Sequence, residues 1–219
     1  MFSLLILKML FQLLDDDTQF PDPRLAEEDG LLAIGGDLSL DRLLNAYSNG
    51  IFPWFSEGDP ILWYSPLERC VIYPERIVVS KSMKKVLSNS SFTITINQAF
   101  TQVIQNCAKA PRKDQDGTWI TDDMQQAYLN LHQNGYAHSI EVWQMNELVG
   151  GLYGLKVDRV FCGESMFSHV SNASKAALIY LSTLNIDLID CQLPNDHLMS
   201  MGAEMISNEE YLKILQGEQ

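Results

Sequence analysis

Three runs in the second half of the chain, "HSIEVW", "ELVGGLYGLKV" and "RVFCGESMF", are separated only by the short turns "QMN" and "VDR". Each alternates or stays apolar over the length of a strand. Connections this short join antiparallel neighbours, so the segment predicts an antiparallel meander. A helix follows in "NASKAALIYL", where Ala173, Ala176, Ala177, Ile179 and Leu181 form a face of small and apolar side chains. Between the last strand and this helix, after Gly163, stands Glu164 in otherwise apolar company. An unpaired carboxylate is costly to bury, so Glu164 requires either a partner or a cleft.

Around the meander the same rules predict further elements. "CVIYP", "FTITIN" and "LIDCQL" read as strands, and "QAFTQVIQNCAKA" as a helix with Phe100, Val103, Ile104 and Cys107 on one face. "TDDMQQAYLNLHQNG" is a helix capped by Thr121, with Asp122 and Asp123 in its first turn and Gly135 at its end. A last helix follows the capping box Ser207–Glu210. Nearer the start, "SLDRLLNAYSNG" is a short helix with Ser39 as N-cap and Gly50 as its stop. "IFPWFSEGDPILWYSP" reads as irregular and aromatic, unlike all that follows, and sets a boundary near Leu67. The expectation is an α+β protein, with a small N-terminal domain over 1–67 and a mixed-sheet domain over 68–219.

The 219 residues carry a formal charge of -13, which disfavours non-specific binding to nucleic acid or anionic membrane. A polyanion must meet a local basic patch, and "PERIVVSKSMKK" supplies one in Arg76, Lys81, Lys84 and Lys85. A solvated face is the plainer reading of the same residues. The four cysteines, Cys70, Cys107, Cys162 and Cys191, show neither C-x-x-C nor histidine at metal spacing. They read as reduced thiols of a cytoplasmic protein, with no metal. The apolar start "MFSLLILKMLFQLL" contains Lys8 and is too short to span a bilayer. It reads as an amphipathic segment packed on the body, or as a start site placed too early, so no membrane is expected.

Polar groups at strand ends are the chemical signal. Asp190 and Gln192 lie two apart in "IDCQL", a spacing that puts both on one strand face. A carboxylate beside an amide can orient an amine and receive its proton, which suits aminolysis of an ester; a buried network fixing strand pairing is the structural alternative. Asn195, Asp196 and His197 follow at once, and a lone His197 reads as a hydrogen-bonding residue. The loop aromatics, Trp54 and Trp119 among them, read either as packing or as a stacking platform for a nucleobase.

In order from about Phe20 to Tyr211, "GLLAIGGDLSLDRLLNAYSNGIFPWFSEGDPILWYSP", "TWITDDMQQAYLNLHQNGYAHSIEVW", "LVGGLYG", "FCGESMFS", "NASKAAL" and "DCQLPNDH" resemble the bacterial leucyl/phenylalanyl-tRNA–protein transferase family. The resemblance implies a GNAT-like second domain. It also implies transfer of Leu or Phe (Met less well) from aminoacyl-tRNA onto proteins with N-terminal Arg or Lys, which creates a degradation signal. No cofactor or metal is implied, since the ester is already activated. The implied partners are Leu-tRNA, Phe-tRNA and the acceptor proteins, with the enzyme a monomer. By the same resemblance, Asp190, Gln192 and Glu164 are catalytic. Trp54, Trp119, Leu152, Phe161, Met166 and Ser168 bind the aminoacyl-adenosine, and Arg76, Lys81, Lys84 and Lys85 meet the acceptor stem. His169 departs from the family, standing where Arg often follows "FS".

Two other functions fit parts of the sequence. An acyl-CoA-dependent N-acyltransferase needs a glycine-rich pyrophosphate loop between strand and helix. "ESMFSHVSNASKAAL" has no glycine after Glu164. A non-catalytic adaptor for basic N-termini fits the acidic charge but leaves the aromatics and the basic patch unused.

Overall fold

The computed structural model describes residues 11–13, 17–89, 92–111 and 118–217. Most of the apolar start and the charged loop at 112–117 lie outside the described residues. The chain divides into two compact units, Met1–Glu68 with Ser207–Gln219, and Arg69–Ile206. Both combine helices with sheet, in keeping with the α+β expectation.

In the first unit, β1 (Phe11–Leu13), β2 (Leu31–Gly35), β3 (Phe52–Pro53) and β4 (Leu62–Tyr64) form one sheet in the order β1-β2-β4-β3. The stretch read as irregular therefore holds two short strands. Pro53 explains why they escape a periodicity search: a residue without an N–H is confined to an edge, and β3 is the edge. Between β2 and β3, α1 (Leu40–Ser48) starts after Ser39 and buries Leu43, Ala46 and Tyr47. Gly50 ends it with a φ of 72°, the left-handed conformation that glycine adopts without steric cost. Trp63 is fully buried; its indole N–H donates to the Gly35 carbonyl at 2.9 Å.

The last helix, Asn208–Leu215, groups with this unit, whereas the sequence reading had placed it in the second domain. Its first residue supplies the reason. Asn208 is buried, and its amide donates to Ser65 Oγ at 2.8 Å and to the Pro66 carbonyl at 2.9 Å. Buried amides stay where their hydrogen bonds are.

The second unit is built on a seven-stranded sheet. Its elements are β5 (Glu68–Ile72), α2 (Lys81–Ser88), β6 (Thr93–Ile96), α3 (Phe100–Lys109), α4 (Asp122–Gln133), β7 (Ala137–Gln144), β8 (Glu147–Val157), β9 (Val160–Ser168), α5 (Ala173–Leu181), β10 (Leu188–Gln192), α6 (Asp196–Ser200) and β11 (Glu204–Ser207). The order is β11-β5-β10-β9-β8-β7-β6. β7, β8 and β9 form the expected antiparallel meander. β9 and β10, joined through α5, are parallel.

Alternation divides the sheet between two helical layers. Ile140, Val142, Leu152, Phe161 and Ile189 pack with the small face of α5, where Ala173, Ala176 and Ala177 permit close approach. Glu141, between Ile140 and Val142, turns the other way and accepts from the Ala99 N–H at the start of α3 (3.4 Å). On that side Tyr153 of β8 meets Phe100 of α3 and Tyr128 of α4 edge-on, at ring separations of 5.8 and 5.4 Å.

The β8–β9 pairing shifts register between Tyr153 and Gly154. A Cβ on Gly154 would lie 2.2 Å from the Cys162 carbonyl oxygen and 2.7 Å from the Phe161 ring. The backbone oxygen cannot yield without breaking the ladder. Gly154→Ala is therefore expected to destabilise the protein by at least about 1–3 kcal/mol, the usual cost of overpacking. The urea midpoint checks it, and an unchanged midpoint would show that the ladder gives way freely.

Candidate active site

β9 and β10 run side by side for only three residues, Val160–Cys162 against Leu188–Asp190. Beyond Cys162, β9 continues along β8, while β10 crosses a bulge and pairs Gln192 with Cys70 of β5. Parting strands leave a crevice at their carboxyl ends, the usual place for a ligand in a sheet with parallel neighbours. A cleft of about 710 Å³ opens there. β8 and β9 line it with Leu152, Tyr153, Gly163, Glu164, Ser165 and Met166; α5 adds Leu178 and Leu181. Ile189, Cys191 and Gln192 come from β10, and Asn195, Asp196, His197 and Leu198 from the chain entering α6.

The bulge overturns the expectation that Asp190 and Gln192 share a face. Asp190 pairs with Val71 and Gln192 with Cys70, so β10 carries one residue more than β5 across this step. An inserted residue breaks the period-two alternation. Gln192 reaches the cleft, whereas Asp190 is fully buried and is not among the residues lining it. Arg69 Nε and an Arg69 terminal nitrogen donate to the two Asp190 oxygens, each at 2.8 Å. Asp190 Oδ1 also accepts from the Gln192 N–H at 2.9 Å. Gln192 has a φ of 56°, a conformation costing a side-chain-bearing residue about 1–3 kcal/mol unless its surroundings hold it. Asp190 is part of what holds it.

Gln192 Nε2 is buried without a hydrogen-bond partner among the described residues, and so is Nε2 of His197. Unpaired buried polar atoms are costly, and both of these belong to residues that line the cleft. Burial, reinforced by the Lys175 charge, holds the His197 imidazole below the usual histidine value, hence neutral near pH 7. Glu164 has both a partner and the cleft: Tyr128 donates its hydroxyl proton to Oε2 at 2.8 Å. The Cys191 thiol is pushed well above its ordinary value by its hydrogen bond with Cys70 and by burial. It is a thiol rather than a thiolate, and no nucleophile.

The remaining expected residues divide. Leu152 and Met166 line the cleft. Phe161 is instead packed in the core against Ile189 and Ala176 and their neighbours. Ser168 is exposed at the entrance to α5, donating to the Val170 carbonyl (2.8 Å) and accepting from the Ser174 N–H (3.3 Å). Trp119 stands half-buried before α4 in the second unit. Trp54 belongs to the first unit, 36% exposed and tilted against Tyr64 at 5.8 Å. Lys81, Lys84 and Lys85 share the exposed face of α2, as their spacing requires, and have no ion-pair partner among the described residues. Arg76 differs: Glu204 accepts from it at 2.8 Å and its guanidinium lies over Tyr73. Glu141 accepts from Thr95 and Ser139 hydroxyls at 2.5 Å each, a satisfied structural group that is not among the residues lining the cleft.

Sequence reasoning missed Arg69 and Tyr128. A charge inside the apolar run "ERCVI" was the signal for the first: an arginine there must have a buried partner. Nothing in "QQAYLNL" sets Tyr128 apart from core packing.

The sequence profile of the leucyl/phenylalanyl-tRNA protein transferases matches residues 71–216, and that of their N-terminal domain matches residues 36–67. Three relatives named leucyl/phenylalanyl-tRNA–protein transferase agree. The Flavobacterium psychrophilum protein is 53% identical over 92% of this chain and 98% of its own. That of Shewanella pealeana is 54% identical over 89% and 84%, and that of Hahella chejuensis 56% over 94% and 90%. The chain belongs to the leucyl/phenylalanyl-tRNA–protein transferase family.

The Arg69–Asp190 pair yields a stability test. Removing one member of a buried pair leaves an uncompensated charge and costs about 3–5 kcal/mol, whereas replacing both with apolar residues is often neutral. Arg69→Met alone should lower the denaturation midpoint sharply, and Arg69→Met with Asp190→Leu should recover most of the loss. Additive losses in a denaturant double-mutant cycle would show that the two are not coupled.

Proposed function

We propose that the protein transfers Leu or Phe, and Met less well, from aminoacyl-tRNA to the α-amine of proteins beginning with Arg or Lys. It acts as a monomer in the cytoplasm, where aminoacyl-tRNA is found, and the product carries a degradation signal. No described helix is long and apolar enough to cross a membrane. The observation that carries this reading is the two-sided cleft. Its apolar wall (Leu152, Met166, Leu178, Leu181, Ile189, Leu198) suits a leucyl or phenyl side chain. The same lining includes Gln192, whose amide has an unsatisfied donor suited to the ester carbonyl oxygen. A GNAT-like fold for the second unit is part of the same reading, supported by the parallel pair that parts at the cleft.

In the reaction the neutral amine attacks the ester carbonyl carbon. A C–N bond forms, the C–O bond to the ribose breaks, and one proton passes from nitrogen to the leaving ribose oxygen. Gln192 Nε2 donates to the carbonyl oxygen as charge develops on it, the oxyanion contribution that is often the largest in acyl transfer. Glu164, held by Tyr128, attracts the cationic acceptor. Asp190 acts through Gln192, by fixing the bulge. Trp119 and, by the family resemblance, Trp54 are each assigned to the terminal adenosine, and Ser168 and Phe161 support the aminoacyl pocket from outside its lining. Lys81, Lys84 and Lys85 meet acceptor-stem phosphates, with Arg76 beside them.

The acyl-CoA alternative is disfavoured at the strand-to-helix joint. A pyrophosphate needs free backbone N–H groups there. Residues 169–172 contain no glycine, and the Ser174 N–H is already taken by Ser168 Oγ.

The decisive assay offers labelled Leu-tRNA and a peptide with N-terminal Arg, with and without CoA. Label is expected in the peptide without CoA. Dependence on CoA would favour the acyl-CoA enzyme, and peptide binding without transfer would favour an adaptor. Two variants refine the reading. Met166→Ala should lower transfer of Leu more than of Phe, because leucine cannot expand into the enlarged pocket. The ratio should shift by about 1–3 kcal/mol, or roughly 10- to 200-fold, in competition between the two aminoacyl-tRNAs. An unaltered ratio would remove Met166 from the pocket. Lys84→Ala with Lys85→Ala should weaken both tRNAs alike and flatten the slope of log affinity against log salt by about one per lysine. An unchanged slope would move the tRNA footprint elsewhere.

A further inference from the structure

The cleft contains a group that the family resemblance left without a role. His197 lines it, and its Nε2 is buried with no hydrogen-bond partner among the described residues. A histidine that serves only to secure the fold uses its ring nitrogens on neighbours, as His132 does when its Nδ1 meets the Ala137 carbonyl at 2.8 Å. His197 lines the cleft together with Gln192 and Glu164, and its buried Nε2 is left without such a neighbour among the described residues. It is anchored by backbone instead: Asn195 Oδ1 accepts from the Leu198 N–H at 2.9 Å, and the His197 carbonyl accepts from Ser200 Oγ at 2.7 Å. The short turn therefore holds the backbone of His197 at the cleft without engaging Nε2.

We propose that His197 is a catalytic residue that carries the proton of the transfer reaction, taking it from the attacking nitrogen and returning it to the ribose oxygen. This rests on the aminoacyl transfer proposed above. When the amine adds to the ester carbonyl, its nitrogen becomes a strongly acidic ammonium, and Nε2 accepts one proton from it. Collapse of the tetrahedral adduct expels the ribose oxygen, which receives that proton from the imidazolium. The products are a peptide amide and tRNA with its hydroxyl restored; the imidazole ends as it began, and no other reactant is needed. The other groups around the ring are unsuited to both halves of the exchange. Glu164 on β9 is engaged by Tyr128, Cys191 on β10 is a thiol of raised pKa, and Asp196 on the same turn is exposed. Tyr153 on β8 is a phenol whose ring is packed edge-on against Phe100 and Tyr128, and Lys175 on α5 is a cation whose charge lowers the pKa of His197. An imidazole kept neutral at pH 7 is a ready base, matched to proton exchange at that pH.

The test is the acid side of the pH profile of kcat/KM for an Arg-peptide, at saturating Leu-tRNA. The acceptor's α-amine, with a pKa of about 7.7–8.0, contributes one unit of slope to log rate against pH, and His197 contributes a second at lower pH, beneath the usual histidine range. The unaltered protein should approach a slope of about two and His197→Gln a slope of about one, since the amide preserves hydrogen bonding but exchanges no proton. His197→Gln should also lose about 100-fold or more in rate, with Leu-tRNA affinity unchanged. A rate within threefold, a loss confined to tRNA affinity, or the same limiting slope in both proteins would overturn the role. Should the variant not fold, the unaltered protein decides alone, because a limiting slope of one excludes a second ionising group. Absence of transfer by the unaltered protein would overturn the reaction and this role with it.

Discussion

Arg69 and Asp190 form the contact on which the cleft depends. Both are buried, both carboxylate oxygens are engaged by one guanidinium, and one oxygen also holds the Gln192 N–H. The planar fork of arginine matches a carboxylate in two parallel bonds, so the pair fixes orientation as well as charge. Because Arg69 lies in β5 and Asp190 in β10, the pair binds these strands together at the step where β10 leaves β9. Without it, Gln192 has no reason to hold a left-handed backbone, and the amide that faces the cleft loses its aim.

The cleft follows from topology. A strand at a parallel junction has two neighbours, and when one of them is exchanged for another its open edge must face something. β9 keeps β8 and loses β10 after Cys162. The space is bounded by α5 and by the turn into α6, which supply apolar and polar lining respectively. The lining combines apolar side chains with Gln192 and His197, each of which has a buried nitrogen without a partner among the described residues. Its one thiol among the lining residues, Cys191, is un-ionised.

The charge distribution serves the same geometry at longer range. A formal charge of -13 repels polyanions over roughly a Debye length, about 8 Å at physiological salt. Three lysines on one face of α2 stand out from that background without carboxylate partners among the described residues, while Arg76 is already answered by Glu204. The sequence treated these four cations as one patch; side-chain pairing separates them.

Much was legible in the chain itself. The β7–β9 meander, α1, α3, α4, α5 and the final helix follow from periodicity, short turns and caps, because these signals act within a few residues. Thr121 Oγ1 accepts from the Met124 N–H and Ser207 Oγ from the Glu210 N–H, as their spacing requires. Glu164, Met166 and Leu152 were legible as cleft residues through the motifs that carry the family. The tertiary structure decided the rest. A β-bulge depends on the neighbouring strand, so no spacing rule could place Asp190 behind the sheet and Gln192 in the cleft. Arg69 lies 121 positions from its partner, and Asn208 lies 143 from Ser65, separations at which only the folded chain brings the groups together. His197 gained its meaning in the same way: a histidine is assigned by what its two nitrogens touch, and that is settled by packing, which left Nε2 buried without a partner among the described residues.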